Sequence, residues 1–151
     1  MNNQNSWNGS KTILLIKNFV SLDELTQFRK EIVNSGKNIH ECVIMGVVES
    51  KKEVEILARH DSFAFVSEKQ FNFFGKLRNQ AANTIFQRKF DMVLIIGDLS
   101  KRIARRTAKV SRKLSVGLNS EKTEHDINLN TNESAPEHLF NFVKQTLEKI
   151  E

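Results

Sequence analysis

The chain is poor in the residues that build specialised scaffolds: among its 151 residues are one cysteine, one proline, one tryptophan and no tyrosine. A lone Cys42 cannot form an internal disulfide, and its apolar neighbours indicate a buried, inert thiol. This pattern is typical of proteins of the reducing cytoplasm and argues against a secreted, disulfide-rich domain. We therefore expect a cytoplasmic protein.

Long hydrophobic runs are also absent. The apolar runs 13–16 and 92–96 are far shorter than the roughly 20 residues that a membrane helix needs. The first ten residues are polar and uncharged, so they lack the basic start and apolar centre of an export signal. The sequence predicts no membrane span, a flexible Asn-rich tail over residues 1–11 and one α/β domain over residues 12–151.

The motifs of the common enzyme classes are missing as well. We find no Gly-rich dinucleotide loop, no P-loop, no nucleophile elbow and no zinc-protease helix. The four histidines have no neighbour at metal-ligand spacing, and His125 and Asp126 would point to opposite faces of a strand. Asp98 ends the strongest predicted strand, on the ligand side of such sheets, but we favour a turn-forming role for it. The sequence predicts no metal, no cofactor and no catalytic residue, and it leaves catalysis open.

Alternating strands and helices fill the rest of the chain. Aliphatic and β-branched runs predict strands over 12–19, 42–48, 62–66, 91–97, 114–118 and 126–129. Helices are predicted over 77–89 and 101–113, and after the capping boxes at 21–24, 50–53 and 134–137. This order predicts a single-domain, three-layer αβα, Rossmann-like fold around a mostly parallel sheet of about five or six strands.

Charge is distributed unevenly along the chain. Residues 69–113 contain twelve bases and two acids, whereas the remainder contains eleven bases and sixteen acids. Within the basic segment, the cations of the predicted helix 101–113 fall within roughly 140° of its circumference, opposite its apolar side. The residues that we expect to bind an anion or nucleic acid are Ser100 at the N-cap and Lys101, Arg102, Arg105, Arg106, Lys109, Arg112 and Lys113.

Several interpretations of this cationic helix stay open. RNA or a ribonucleoprotein is the first candidate, because arginine suits bidentate contacts with phosphate. The alternatives are an acidic protein partner, acids of the chain itself such as Glu121, Glu124 or Glu133, and a solvated face with no partner.

An aromatic cluster lies earlier in the basic segment. Phe71, Phe73 and Phe74 stand beside Lys69, Lys76 and Arg78, and exposed rings there would stack on unpaired bases. We expect core packing for at least two of the three rings, because phenylalanine is the main aromatic residue of this chain.

The chain contains the segment 90–100 (FDMVLIIGDLS), then the basic helix, then the segment 111–118 (SRKLSVGL). Together these three parts resemble a family of short uncharacterised bacterial α/β proteins. That family also shares a Phe-x-Phe/Trp-x-Gly-Lys segment like 71–76 (FNFFGK). More distantly, residues 90–118 are similar to the acceptor-side N-terminal half of heptosyltransferase-type glycosyltransferases. The resemblance implies an α/β fold. It also implies an alternative function, a small glycosyltransferase-like or nucleotide-using enzyme that a partner chain completes, whereas we favour a non-catalytic binding or assembly module.

Overall fold

The computed structural model describes residues 12–19, 22–35, 41–49, 63–121, 125–132 and 136–150. Its strands are β1 (Thr12–Asn18), β2 (Glu41–Val47), β3 (Phe63–Val66), β4 (Lys89–Ile96), β5 (Ser111–Leu118) and β6 (Ile127–Leu129). The described α-helices are α1 (Leu22–Ser35), α2 (Gln80–Phe86), α3 (Lys101–Ala108) and α4 (Pro136–Ile150), and a short 3₁₀ turn spans Glu68–Gln70.

The six strands form one sheet in the order β3-β2-β1-β4-β5-β6. Every neighbouring pair is parallel. The strand order reverses between β1 and β4, which makes this position the switch point of a Rossmann-like sheet. The predicted fold is confirmed, and the described sheet is wholly parallel.

The core lies on both faces of this sheet. In β1, Ile13 and Leu15 join the cluster beneath α1 and α4, whereas Leu14 and Ile16 join the cluster beneath α2 and α3. All four side chains are completely buried. This double burial explains why β1 is a continuous aliphatic run rather than an alternating one.

The two faces of the sheet carry different charge. The segments 67–88 and 98–110, which we call the basic layer, cover one face and contain nine bases and two acids. The helices α1 and α4 cover the other face with four bases and five acids. The charge asymmetry along the sequence therefore becomes an asymmetry between two sides of the molecule.

The predicted helix 101–113 is wrong in its second half. The helix α3 ends at Ala108, and Lys109 is its C-cap. The strand β5 begins earlier than predicted because it pairs with the start of β4. Lys89 pairs with Ser111, and Phe90 pairs with Arg112. Arg112 and Lys113 therefore lie on β5 and not on the cationic helix.

The helix predicted over 77–89 is shorter in the structure, where α2 spans Gln80–Phe86. It starts late because Asn79 is its N-cap and accepts a hydrogen bond of 3.0 Å from the Ala82 amide. Leu77 instead forms an antiparallel bridge with Phe71.

Several predicted features lie outside the described residues. They are the tail 1–11, the serines Ser21, Ser50 and Ser134 of the three capping boxes, and the helix predicted after Ser50. Within the part of the chain that is described, no helix is both long and apolar enough to cross a membrane.

Candidate functional site

An acid of the chain itself occupies the N-terminus of α3. Ser100 has extended N-cap geometry, but its side chain makes no capping bond. Its hydroxyl donates to Glu68 Oε2 at 2.5 Å, and the two carboxylate oxygens of Glu68 each lie 3.4 Å from a backbone nitrogen, those of Arg102 and Ile103. A carboxylate in this position offsets the unfavourable interaction between the helix dipole and the cations of the first turn.

The arginines at the sides of α3 also have partners in the chain. Arg102 Nε lies 3.9 Å from Glu68 Oε1, with about half of its side chain exposed. The Arg106 guanidinium lies over the ring of Phe86 in α2, at 5.2 Å from its centroid. This cation–π contact joins the two helices of the basic layer.

Arg112 and Lys113 make their contacts at the start of β5. Arg112 Nη1 donates to the carbonyl oxygens of Ala108 and Val110, both at 3.0 Å. These bonds satisfy backbone oxygens at the C-terminal end of α3. Lys113 Nζ lies 3.5 Å from Asp91 Oδ1. Both residues stay exposed at the end of the sheet where β4 and β5 begin.

Three cations of α3 and its C-cap have no such contact. Lys101, Arg105 and Lys109 are exposed, and in the described part of the chain none of them has an ion pair or a side-chain hydrogen bond. Their spacing of four residues aligns them along one side of the helix, about 6 Å apart along its axis. We call these three residues the cation row. It is the part of the predicted site that remains available to an external anion.

Asp98, which follows β4, has a structural role. Asp98 Oδ1 accepts hydrogen bonds from the Ser120 hydroxyl at 2.8 Å and the Glu121 amide at 3.1 Å, which fixes the loop after β5. Asn18 Nδ2 donates to the Asp98 carbonyl oxygen at 2.7 Å. This bond spans the switch point between β1 and β4, where sheets of this topology bind ligands.

A pocket lies between α3, the sheet and the loop that carries His125. On its wall, the buried Ser115 hydroxyl is hydrogen-bonded to His125 Nδ1 at 3.1 Å, and the Ser115 amide donates to Asp126 Oδ2 at 2.9 Å. The imidazole lies against Gly117, where any Cβ would collide with it. Satisfying a buried hydroxyl is the ordinary role of such a contact.

This pairing is one that the sequence reasoning missed. His125 and Asp126 both contact Ser115, whereas the sequence predicts that they point to opposite faces of a strand. The prediction is wrong because both residues precede β6, so the alternation of side chains along a strand does not apply to them. The sequence does carry one indication of this pairing. Ser115 and Gly117 are both small and lie on the same face of β5, so they leave room there for a side chain from another part of the chain. Glu68 was also missed, because it lies one residue before the basic segment.

The aromatic cluster forms an exposed turn, and the expectation of core packing for at least two of its rings is wrong. Phe71 is partly buried against the core, whereas Phe73 and Phe74 are 93% and 90% exposed. Asn72 holds the turn, because its Oδ1 accepts from the amides of Phe74 and Lys76, both at 2.9 Å. We call residues 71–77 the aromatic turn.

Among the described residues, no group of three or more His, Cys, Asp or Glu side chains is placed to hold a metal ion. No curated protein matches the chain. The model of a family of unknown function, DUF6913, matches residues 1–150. The chain therefore belongs to this family of unknown function.

Proposed function

We propose that the protein is a non-catalytic binding or assembly module of the cytoplasm that contacts RNA, free or within a ribonucleoprotein, through its basic layer. The observation that carries this proposal is the cation row, Lys101, Arg105 and Lys109. These residues are exposed and aligned, and the described structure gives them no acidic partner.

A phosphate backbone suits this surface for electrostatic reasons. Cations four residues apart on a helix repel one another, and the nine bases and two acids of the basic layer add to that repulsion. A polyanion relieves the repulsion and gains entropy by releasing its counterions. RNA binding therefore gives a physical account of a charge pattern that costs stability in the free protein.

The remaining predicted residues border the cation row. A guanidinium has five N–H donors, and the contacts of Arg102, Arg106 and Arg112 inside the chain use only part of that set. Lys113 similarly keeps donors beyond Asp91, while Ser100 gives its hydroxyl to Glu68. We include these five residues as the margin of the interface.

The apolar side of α3 favours a polyanion over lipid as the partner of this helix. Ile103 and Thr107 are buried against the sheet, whereas a membrane-surface helix turns its apolar side toward the bilayer. We favour the binding module over the alternative of a glycosyltransferase-like or nucleotide-using enzyme, because a hydrogen bond between Asn18 and Asp98 spans the switch point at which such a sheet would bind a ligand.

The test compares two triple variants that lose the same charge from opposite faces. In one variant, Lys101→Gln, Arg105→Gln and Lys109→Gln remove the cation row. In the control, Lys30→Gln, Lys144→Gln and Lys149→Gln remove three cations from α1 and α4. Binding of a fluorescently labelled single-stranded RNA is measured by anisotropy at low salt. We expect the first variant to bind on the order of tenfold more weakly than wild type, and the control to change little.

Three results would contradict the proposal. Wild-type protein that does not bind RNA at low salt would exclude this function, as would two variants that weaken binding equally. Binding of polyglutamate without binding of RNA would assign the cation row to an acidic protein partner.

A further inference from the structure

The aromatic turn presents two apolar side chains to solvent on a well-fixed support. Phe73 and Phe74 are the only large hydrophobic residues that are exposed in the described part of the chain. Nothing in the hydrogen bonding of the turn requires phenylalanine at these positions, because the bonds run between Asn72 and the backbone. The two phenyl rings therefore take no part in the hydrogen bonds that hold the turn.

Backbone hydrogen bonds support the turn. The Asn72 amide donates to the Lys76 carbonyl oxygen at 2.8 Å, and the Gly75 amide donates to the Asn72 carbonyl oxygen at 3.0 Å. Gly75 adopts a φ of 80°, which favours glycine. Beneath the tip, Leu77 is buried and bridged to Phe71. These bonds fix the backbone that carries the two rings, which limits the conformational entropy lost on binding.

The two rings leave faces free for stacking. They contact each other edge to face, with centroids 5.6 Å apart and planes at 89°. A perpendicular pair cannot bury both rings against each other, so flat surfaces remain open to solvent. Each exposed face matches the surface of an unpaired nucleobase, which stacks on aromatic side chains without sequence preference.

The charge around the tip is complementary to a nucleic acid. Lys69, Lys76 and Arg78 are exposed and flank the rings in sequence. The same segment is joined to the N-terminus of α3 through Glu68, next to Lys101. Aromatic rings beside a cationic surface are the two elements with which proteins bind single strands.

We propose that the aromatic turn stacks on unpaired bases of single-stranded RNA that is bound to the basic layer. This inference rests on the proposed function, because the cation row supplies the contacts with phosphate. The rings add a contribution that depends on bases and not on charge.

The test separates bases from phosphates. Wild-type protein is titrated with oligouridylate and with an abasic ribose-phosphate strand of the same length at one salt concentration. The variant Phe73→Leu with Phe74→Leu keeps the apolar character and the hydrogen bonds of the turn but removes the rings. We expect wild type to bind oligouridylate roughly 10- to 100-fold more tightly than the abasic strand. We expect the variant to lose most of that preference while its affinity for the abasic strand stays the same.

The outcomes distinguish this inference from the function on which it rests. Equal wild-type affinity for both strands, or a leucine variant that keeps the preference, would overturn the stacking role and leave RNA binding through the cation row intact. Failure of the wild type to bind either strand would overturn both. Equal affinity for both strands combined with tight binding to anionic phosphatidylserine vesicles would likewise overturn the inference and favour a lipid partner.

Discussion

Glu68 joins the turn after β3 to the first turn of α3 through a single carboxylate. It accepts from the Ser100 hydroxyl and lies within 3.4 Å of two backbone nitrogens of the helix. Sequence inspection predicts Ser100 as the cap, because serine in this position usually bonds its own helix. A residue that is distant in sequence takes that role here, and pairing of this kind depends on the tertiary fold.

We expect Glu68→Ala to lower the free energy of unfolding by about 0.5–2 kcal/mol, the range for loss of a helix cap. Glu68→Gln keeps an acceptor oxygen and loses only the charge, so its effect should be smaller. Urea unfolding of both variants measures the difference. Equal stability of the alanine variant and the wild type would contradict the capping role.

Gly117 provides the space in which His125 reaches Ser115. A Cβ at position 117 would collide with the imidazole. We therefore expect Gly117→Ala to destabilise the protein by about 1–3 kcal/mol, as overpacking in a close-packed region does. In a His125→Ala background the same change should cost much less, which a double-mutant cycle in urea measures. An equal cost in both backgrounds would show that the imidazole is not the obstacle.

At the scale of elements, α3 combines arginines of two kinds. Arg106 lies on the Phe86 ring, whereas Arg105 is exposed within the cation row. We expect Arg106→Gln to reduce stability by about 0.5–1 kcal/mol through loss of the cation–π contact. Arg105→Gln should leave stability unchanged or raise it slightly, because it relieves repulsion. Thermal or urea unfolding of the two variants would contradict this account if Arg105→Gln were the more damaging change.

The strands were easier to predict than the helix ends. The run around Ile13 and the strand 91–97 are recognisable because burial on both faces demands consecutive aliphatic residues. The sequence predicts the end of α3 too late, because Arg112 and Lys113 continue the cationic pattern of the helix. Their strand conformation follows from pairing with β4, which begins at Lys89, and such pairing is a long-range contact.

At the scale of the molecule, the sheet converts a basic segment of the sequence into a basic face. The segment and its cations could be predicted from composition and spacing. The sequence does not predict which of these cations remain without a contact inside the chain, because those contacts are with Glu68, Phe86 and the backbone oxygens near Arg112. The exposure of Phe73 and Phe74 was also beyond prediction, since composition alone favours placing phenylalanine in a core.

The most direct test of the account is the salt dependence of RNA affinity for wild type and for the variant with Lys101→Gln, Arg105→Gln and Lys109→Gln. Each contact between a cation and a phosphate of a single strand contributes about 0.7 to the slope of log affinity against log salt. If all three residues of the cation row contact phosphates, the variant should have a slope shallower by about 2. An unchanged slope would contradict the assignment of the cation row to RNA.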